Sequence, residues 1–359
     1  MHSPLQHTHL DPTFSRLREW IDDHRPTSIA VVMDSQTERH CLPILAPHLP
    51  PGTQLLSLSG HGEDMKSLEH VHALWDSLEG MGMDRRGLIV ALGGGTVTDL
   101  TAFAASTYFR GTALWLVPTT VLAMVDAAIG GKTGINFRGL KNRIGTFYTP
   151  EGISLHPEML HTLSPREWRN GWTEHIKHLL LSKKTLPEVG SDARLHRLLT
   201  NTAPGEEVAS AILESVQIKS GVVSEDPTET NGRRRVLNLG HTVGHAIESW
   251  SMEHDKGIKH GEAVAFGIRV CLAMSKAHPS CPSAEDMNDA AISSFLSDQL
   301  GLDCTPPSAE VLWTLMGTDK KNAGGEIQVI LLDGPGRPVE DVTLSFEEFA
   351  AAYAQVTTL

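Results

Sequence analysis

A strand-length apolar run, Gly87–Leu92 (GLIVAL), leads straight into Gly93-Gly94-Gly95 and then into the helix-like stretch TVTDLTAFAAST. A buried strand, a glycine turn and a helix N-terminus in that order point to a parallel α/β sheet, because parallel strands need a crossover that is usually helical. Three more apolar runs, Ser28–Met33 (SIAVVM), Gln54–Leu58 and Leu114–Pro118 (LWLVP), are separated by helical patterns and are expected as strands of the same sheet. After about Pro150 the strand signals stop. Amphipathic segments follow over Pro165–Ser182, Glu206–Val223, His241–Ser251, Gly261–Ala277 and Ala284–Gly301, with one late apolar run, Ile327–Leu332, between Gly324-Gly325 and Asp333-Gly334. The expected organisation is an α/β domain over residues 1–150 and a mainly α-helical domain over 151–359. A chain of 359 residues exceeds the usual size of one core, and a cleft shared by two domains is a common ligand site.

The glycine turn suggests what such a ligand could be. Glycines allow positive φ and close backbone approach, while N–H groups and the dipole at a helix N-terminus favour an anion such as a dinucleotide pyrophosphate. The spelling is GGG-x-x-x-D rather than G-x-G-x-x-G, so a tight turn with no ligand stays open, as does a helix-stabilising role for Asp99. Thr119-Thr120 follow the LWLVP run and fall at the carboxyl edge of the sheet, where open α/β sheets bind ligands.

Charge narrows the partners. With 30 Lys+Arg against 43 Asp+Glu the net charge is −13, which argues against a nucleic-acid backbone and requires any bound anion to find a locally basic pocket. Four scattered cysteines form no C-x-x-C or finger pattern and suit a reducing compartment, so cytoplasm is expected. No stretch approaches a membrane span, and the N-terminus lacks a signal-peptide pattern.

Polar groups suited to an anionic substrate are dense from Arg110 to Asn142: Arg110, Asp126, Lys132, Asn136, Lys141 and Asn142. Lys132 follows the nearly uncharged AAIGG, so it is either a snorkelling edge residue or a buried cation awaiting an anion. In the helical half, Lys177 follows Glu174 at i, i+3, a spacing that alone reads as a surface ion pair. Lys219, Arg234 and Asn238 lead into a histidine cluster, and Asp319-Lys320-Lys321-Asn322 forms a basic turn. In GHTVGH, His241 and His245 share a helical face, and His260 opens the next helical segment. Imidazoles with a carboxylate make a catalytic divalent-metal site, and spacing alone nominates His241 and His245 together.

With these residues assembled, the chain resembles the 3-dehydroquinate synthases of the sugar-phosphate cyclase family. The resemblance is carried from Glu63 to Asn322 by GEDMK, LGGGTVTDLTAFAASTYFRG, VPTTVLAMVDAAIGGKTGIN, LKNRIGTFYTP, LSPREWRNGWTEHIKH, RRVLNLGHTVGHAIES, HGEAVAFG and MGTDKKN. It implies a Rossmann-like N-terminal domain that binds NAD and a helical domain that binds metal and substrate. It further implies that Glu174, His241 and His260 hold zinc or cobalt, leaving His245 to line the substrate pocket and transfer a proton. Asp126, Lys132, Lys177, Lys219, Arg234 and Asn238 join His245 as catalytic residues. Lys141, Asn142 and Lys320 or Lys321 bind substrate, with Arg110 supplied across a homodimer. NAD falls to Glu63, Lys66, Gly94, Gly95, Asp99, Thr119, Thr120, Thr162, Leu163 and Glu167, with Asp34 as a further candidate. His175 and His178 stand where the family pattern has an apolar and an aromatic residue.

The implied reaction converts a phosphorylated sugar acid, 3-deoxy-D-arabino-heptulosonate 7-phosphate, to 3-dehydroquinate and phosphate, with NAD used catalytically. The competing readings are another sugar-phosphate cyclase, a metal- and NAD-dependent polyol dehydrogenase, which needs no phosphate-binding lysines, and a non-catalytic NAD-binding protein.

Overall fold

The computed structural model describes residues 4–60, 62–138, 140–182, 192–284, 289–317 and 326–357. The chain divides into two compact units, one comprising Met1–Ser164 and Thr202–Thr228, the other Pro165–Asn201 and Glu229–Leu359. The first division falls at Ser164/Pro165, against the 150 read from the pattern. Helix Glu206–Glu225 belongs to the first unit, although its sequence position placed it in the helical half. Amphipathicity shows that a helix has a core to cover, not which core.

The first unit is built on six parallel strands, β1 (Thr8–Leu10), β2 (Ile29–Asp34), β3 (Gln54–Leu58), β4 (Leu88–Gly93), β5 (Ala113–Pro118) and β8 (Gly152–Leu155), in the order β1-β8-β5-β4-β2-β3. A short antiparallel hairpin, β6 (Ile135–Phe137) and β7 (Leu140–Ile144), precedes β8. The central β4 is buried along its whole length, as expected of a parallel strand covered on both faces, whereas edge strand β3 alternates. The four strands read from apolar runs are present; β1 and β8 were not foreseen, being too short to carry a period. From β2 the chain goes outward to β3 and then returns to β4 on the other side of β2. The order therefore reverses between β2 and β4, whose carboxyl ends are Asp34 and Gly93.

The second unit is mainly helical, with an antiparallel pair in which β9 (Ile327–Leu332), the late apolar run, meets β10 (Pro338–Leu344). Its helices Pro165–Leu181, His241–Glu253 and His260–Ala277 hold Glu174, His241 and His260. Trp168 and Trp172 anchor the first of these in the core, both fully buried. The other two cross closely because small residues meet there. A Cβ on Gly267 would stand 2.0 Å from the Gly240 carbonyl oxygen, and Gly240 itself takes φ 77°, which favours glycine. Among the described residues no helix is long and apolar enough to cross a membrane.

Candidate active site

In the second unit, Glu174 points inward from the middle of its helix and is 0% exposed. Its Oε1 lies 3.6 Å from His241 Nε2 and 3.4 Å from His260 Nε2, and its Oε2 pairs with the Lys177 ammonium one turn along. One ligand atom from each of Glu174, His241 and His260 lies within 4.8 Å of the others. The second nitrogen of each imidazole is also engaged. His241 Nδ1 lies 3.1 Å from the Leu239 carbonyl oxygen, and His260 Nδ1 lies 3.1 Å from Glu248 Oε2. Both rings can thus donate outward through Nδ1 and present Nε2 toward the same carboxylate oxygen. One carboxylate and two imidazoles so arranged fit a divalent ion such as zinc or cobalt.

The Glu174–Lys177 pair is no surface salt bridge: Lys177 is 1% exposed, and the i, i+3 face turns into the core. The i, i+4 histidines do share a face, with ring centroids 5.4 Å apart, and His245 lies 6.3 Å from the His260 ring. Yet His260, not His245, completes the group that meets Glu174. Burial drives the His241 pKa well below the ordinary value, reinforced by the Lys177 charge. Burial acts the same way on His260, but the Glu248 and Glu174 carboxylates outweigh it and raise that pKa to about 10. A metal ion bound through His260 would have to displace a proton.

A polar clamp holds the start of the His260 helix. Arg166 meets Glu262 with two parallel contacts, Nε to Oε1 at 2.5 Å and an Nη to Oε2 at 2.7 Å, and the Gly261 N–H donates to Asn170 Oδ1 at 2.6 Å. Glu167 pairs with Lys259 at 2.8 Å and accepts from Asn170 at 3.1 Å. Sequence reasoning missed Glu248, Arg166, Asn170 and Glu262. Glu248 could have been found, since it follows His241 at i+7 and His245 at i+3 on the same face. Arg234 is buried and Asn238 half-buried in the turn before Gly240, and His175 and His178 are wholly buried. Lys320 and Lys321 lie outside the described residues.

In the first unit, none of Gly93, Gly94 and Gly95 has a positive φ, so of the two freedoms glycine offers there the left-handed one is not used. They serve close approach instead: a Cβ on Gly93 would lie 2.4 Å from Val97 Cβ, and one on Gly94 3.0 Å from Thr120 Cγ2. The turn between β4 and helix Gly95–Thr107 is thereby held against Thr120, and the Thr119 N–H donates to the Gly93 carbonyl at 2.9 Å. The first N–H groups of that helix lack intrahelical acceptors. Asp34 caps helix Ser35–His40 through Oδ1. Lys66, 4% exposed, pairs with Asp99 at 2.7 Å and donates to Asn142, and it lies 4.0 Å from Glu63. Asn136 donates to Glu63 at 3.0 Å and accepts from the Asn142 N–H at 2.9 Å, so residues assigned separately to NAD and to substrate form one network. Burial raises the Asp99 pKa, with Lys66 opposing. Lys219 reaches Asp126 twice, 2.6 Å to its carbonyl and 2.8 Å to Oδ1. Lys132 is exposed in a loop of positive-φ glycines, Gly130 and Gly131, which removes the buried-cation reading. Lys141 is half-buried on β7, and Arg110 is exposed at φ 64°. Thr162 and Leu163 lie in the turn before Pro165, apart in sequence from the glycine turn.

Two family models match the chain, 3-dehydroquinate synthase N-terminal over residues 57–170 and 3-dehydroquinate synthase C-terminal over 171–322. A 3-dehydroquinate synthase of Parabacteroides distasonis is 36% identical over 323 residues, 90% of this chain and 89% of that one. The chain belongs to the 3-dehydroquinate synthase family. A 3-dehydroquinate synthase of Pyrococcus abyssi is 48% identical over 210 residues, a match that takes in 58% of this chain and 59% of that relative. A solved 2-deoxy-scyllo-inosose synthase, complexed with carbaglucose-6-phosphate, NAD+ and Co2+, shares the fold at a TM-score of 0.80 and 24% identity, over 97% of this chain and 95% of its own. The junction of the two dehydroquinate synthase models falls within helix Pro165–Leu181. The glycine turn therefore lies in the N-terminal model and Glu174, His241 and His260 in the C-terminal one.

Proposed function

We propose that the chain converts 3-deoxy-D-arabino-heptulosonate 7-phosphate to 3-dehydroquinate and phosphate, acting in the cytoplasm as a homodimer with NAD and zinc or cobalt. The observation that carries this reading is the meeting of His241 Nε2 and His260 Nε2 at one oxygen of the buried Glu174, within a chain of this family. When bound, the divalent ion would acidify a substrate hydroxyl and polarise the derived ketone, while NAD takes a hydride and returns it.

The chain's own residues do the rest. Gly94 and Gly95 would hold the NAD pyrophosphate through backbone N–H groups at the helix start, with Thr119 and Thr120 beside that turn. The Lys66–Asp99 pair, with Glu63, offers donors and acceptors to a ribose; Asp34, Thr162, Leu163 and Glu167 complete the proposed cofactor contacts. Lys132, Lys141, Arg234 and a lysine of Lys320-Lys321, with Arg110 from the second subunit, neutralise phosphate and carboxylate. Asp126, Asn142 and Asn238 take the hydroxyls, and Lys177 and Lys219 stabilise charge that develops as phosphate leaves. His245, on the same helix face as His241, moves a proton at the oxidised hydroxyl.

The test is to incubate purified protein with NAD, zinc and the heptulosonate phosphate and to measure inorganic phosphate beside the carbocyclic product. Both should appear in equal amounts, and dialysis against chelator should abolish them reversibly. Accumulation of NADH with phosphate at baseline would instead mark a polyol dehydrogenase and refute the proposal.

A further inference from the structure

We infer that Glu248 is a positioning residue for the metal: it holds the His260 ring so that Nε2, and not Nδ1, is presented to the ion. This rests on the metal reading of Glu174, His241 and His260. Glu248 is 4% exposed, two turns after His241 on helix His241–Glu253, and its Oε2 lies 3.1 Å from His260 Nδ1. His260 is thus flanked by carboxylates, Glu248 at one nitrogen and Glu174, 3.4 Å away, at the other.

Which nitrogen faces the ion follows from the third ligand. His241 Nε2 also points at Glu174 Oε1, so the ligand atoms converge on the Nε2 side, and Nδ1 must carry the proton that Glu248 accepts. His241 receives the same service from a backbone acceptor, the Leu239 carbonyl, which the fold supplies. His260 is the first residue of its helix, and its side chain is 25% exposed, so a neighbouring side chain has to fix its ring. A carboxylate in that role fixes the tautomer and makes the imidazole a better donor to the metal.

The experiment uses Co2+ as the probe. Cobalt affinity is measured by competition with a chromophoric chelator, and the visible d–d bands are recorded, for the parent, Glu248→Ala and Glu248→Gln. Glu248→Ala should weaken binding about 10–100-fold and alter the bands, with Glu248→Gln, which keeps an acceptor without the charge, in between. Thermal unfolding of the apo proteins checks that each variant is folded. Parent-like affinity and spectra in both variants overturn the inference while leaving the metal site intact. A parent that takes up no ion overturns the metal reading and this inference together. Should a variant not fold, long-range 15N-histidine NMR of the zinc-loaded parent decides: Nε2 coordination with a protonated Nδ1 supports the inference, and Nδ1 coordination overturns it.

Discussion

Replacing Glu174 with Gln separates what the carboxylate does for the metal from what it does for the fold. The side chain is 0% exposed and its ion-pair partner Lys177 1% exposed, so the substitution takes one counter-charge away from a buried ammonium. Removing one partner of a buried pair costs about 3–5 kcal/mol. Because Gln keeps an oxygen for Lys177 to donate to, the lower end is expected, about 3 kcal/mol. At roughly 2–4 °C per kcal/mol for a unit of this size, the chelated protein should melt about 6–12 °C lower. Adding Lys177→Met removes that ammonium as well and should return about 2 kcal/mol, since replacing both members of a buried pair with groups of similar shape is often neutral. Calorimetry on chelated samples reads the fold without the linkage contributed by bound metal. Elemental analysis of metal-loaded samples reads the site, and both variants should have lost the ion. A double variant no more stable than Glu174→Gln would refute the reasoning about the pair; full metal occupancy in Glu174→Gln would refute the ligand assignment.

Lys132→Ala should spare NAD binding, measured by titration, and lower the rate of phosphate release by about a hundredfold or more, the scale of losing one charge-stabilising donor; an unchanged rate rejects its role. Gly267→Ala places a methyl 2.0 Å from the Gly240 carbonyl oxygen and must push the two histidine helices apart, at about 1–3 kcal/mol, with weaker cobalt binding. Parent-like stability and affinity would show that the crossing can relax. Lys66→Met removes the charge that opposes burial at Asp99, so the Asp99 pKa rises further. The folded state then keeps a proton that the unfolded chain has released, and stability declines as pH rises above about 4. Melting temperatures should show a larger deficit at pH 7.5 than at pH 5, and equal deficits contradict the argument.

The sheet was legible because strands covered on both faces must be apolar without interruption, and β4 and β5 announce themselves that way. Strands β1 and β8 were not, because three or four residues carry no period and their pairing is decided by the rest of the sheet. The glycine turn was legible as a place of close backbone approach, but not which side chains approach it: Val97 and Thr120 close in on Gly93 and Gly94, and no local pattern names them. Helix Glu206–Glu225 was found while its allegiance was not, since the partner that marks it, Asp126 against Lys219, is distant in sequence.

The candidate metal group shows why spacing nominates ligands less well than it nominates faces. The i, i+4 rule correctly puts His241 and His245 on one side of one helix, with ring centroids 5.4 Å apart. A closed ligand set, however, needs donors that converge from different directions, and a single helix face supplies donors from one direction only. Glu174 and His260 arrive from two other helices, and what brings the His260 helix within reach is a crossing between Gly240 and Gly267 too close for any Cβ. The same crossing sets Glu248 against His260, so the carboxylate at i+7 acts on the neighbouring helix's histidine. The information was present in GHTVGHAIE as a face bearing two imidazoles and an acid, and only the second helix decides which imidazole the acid serves.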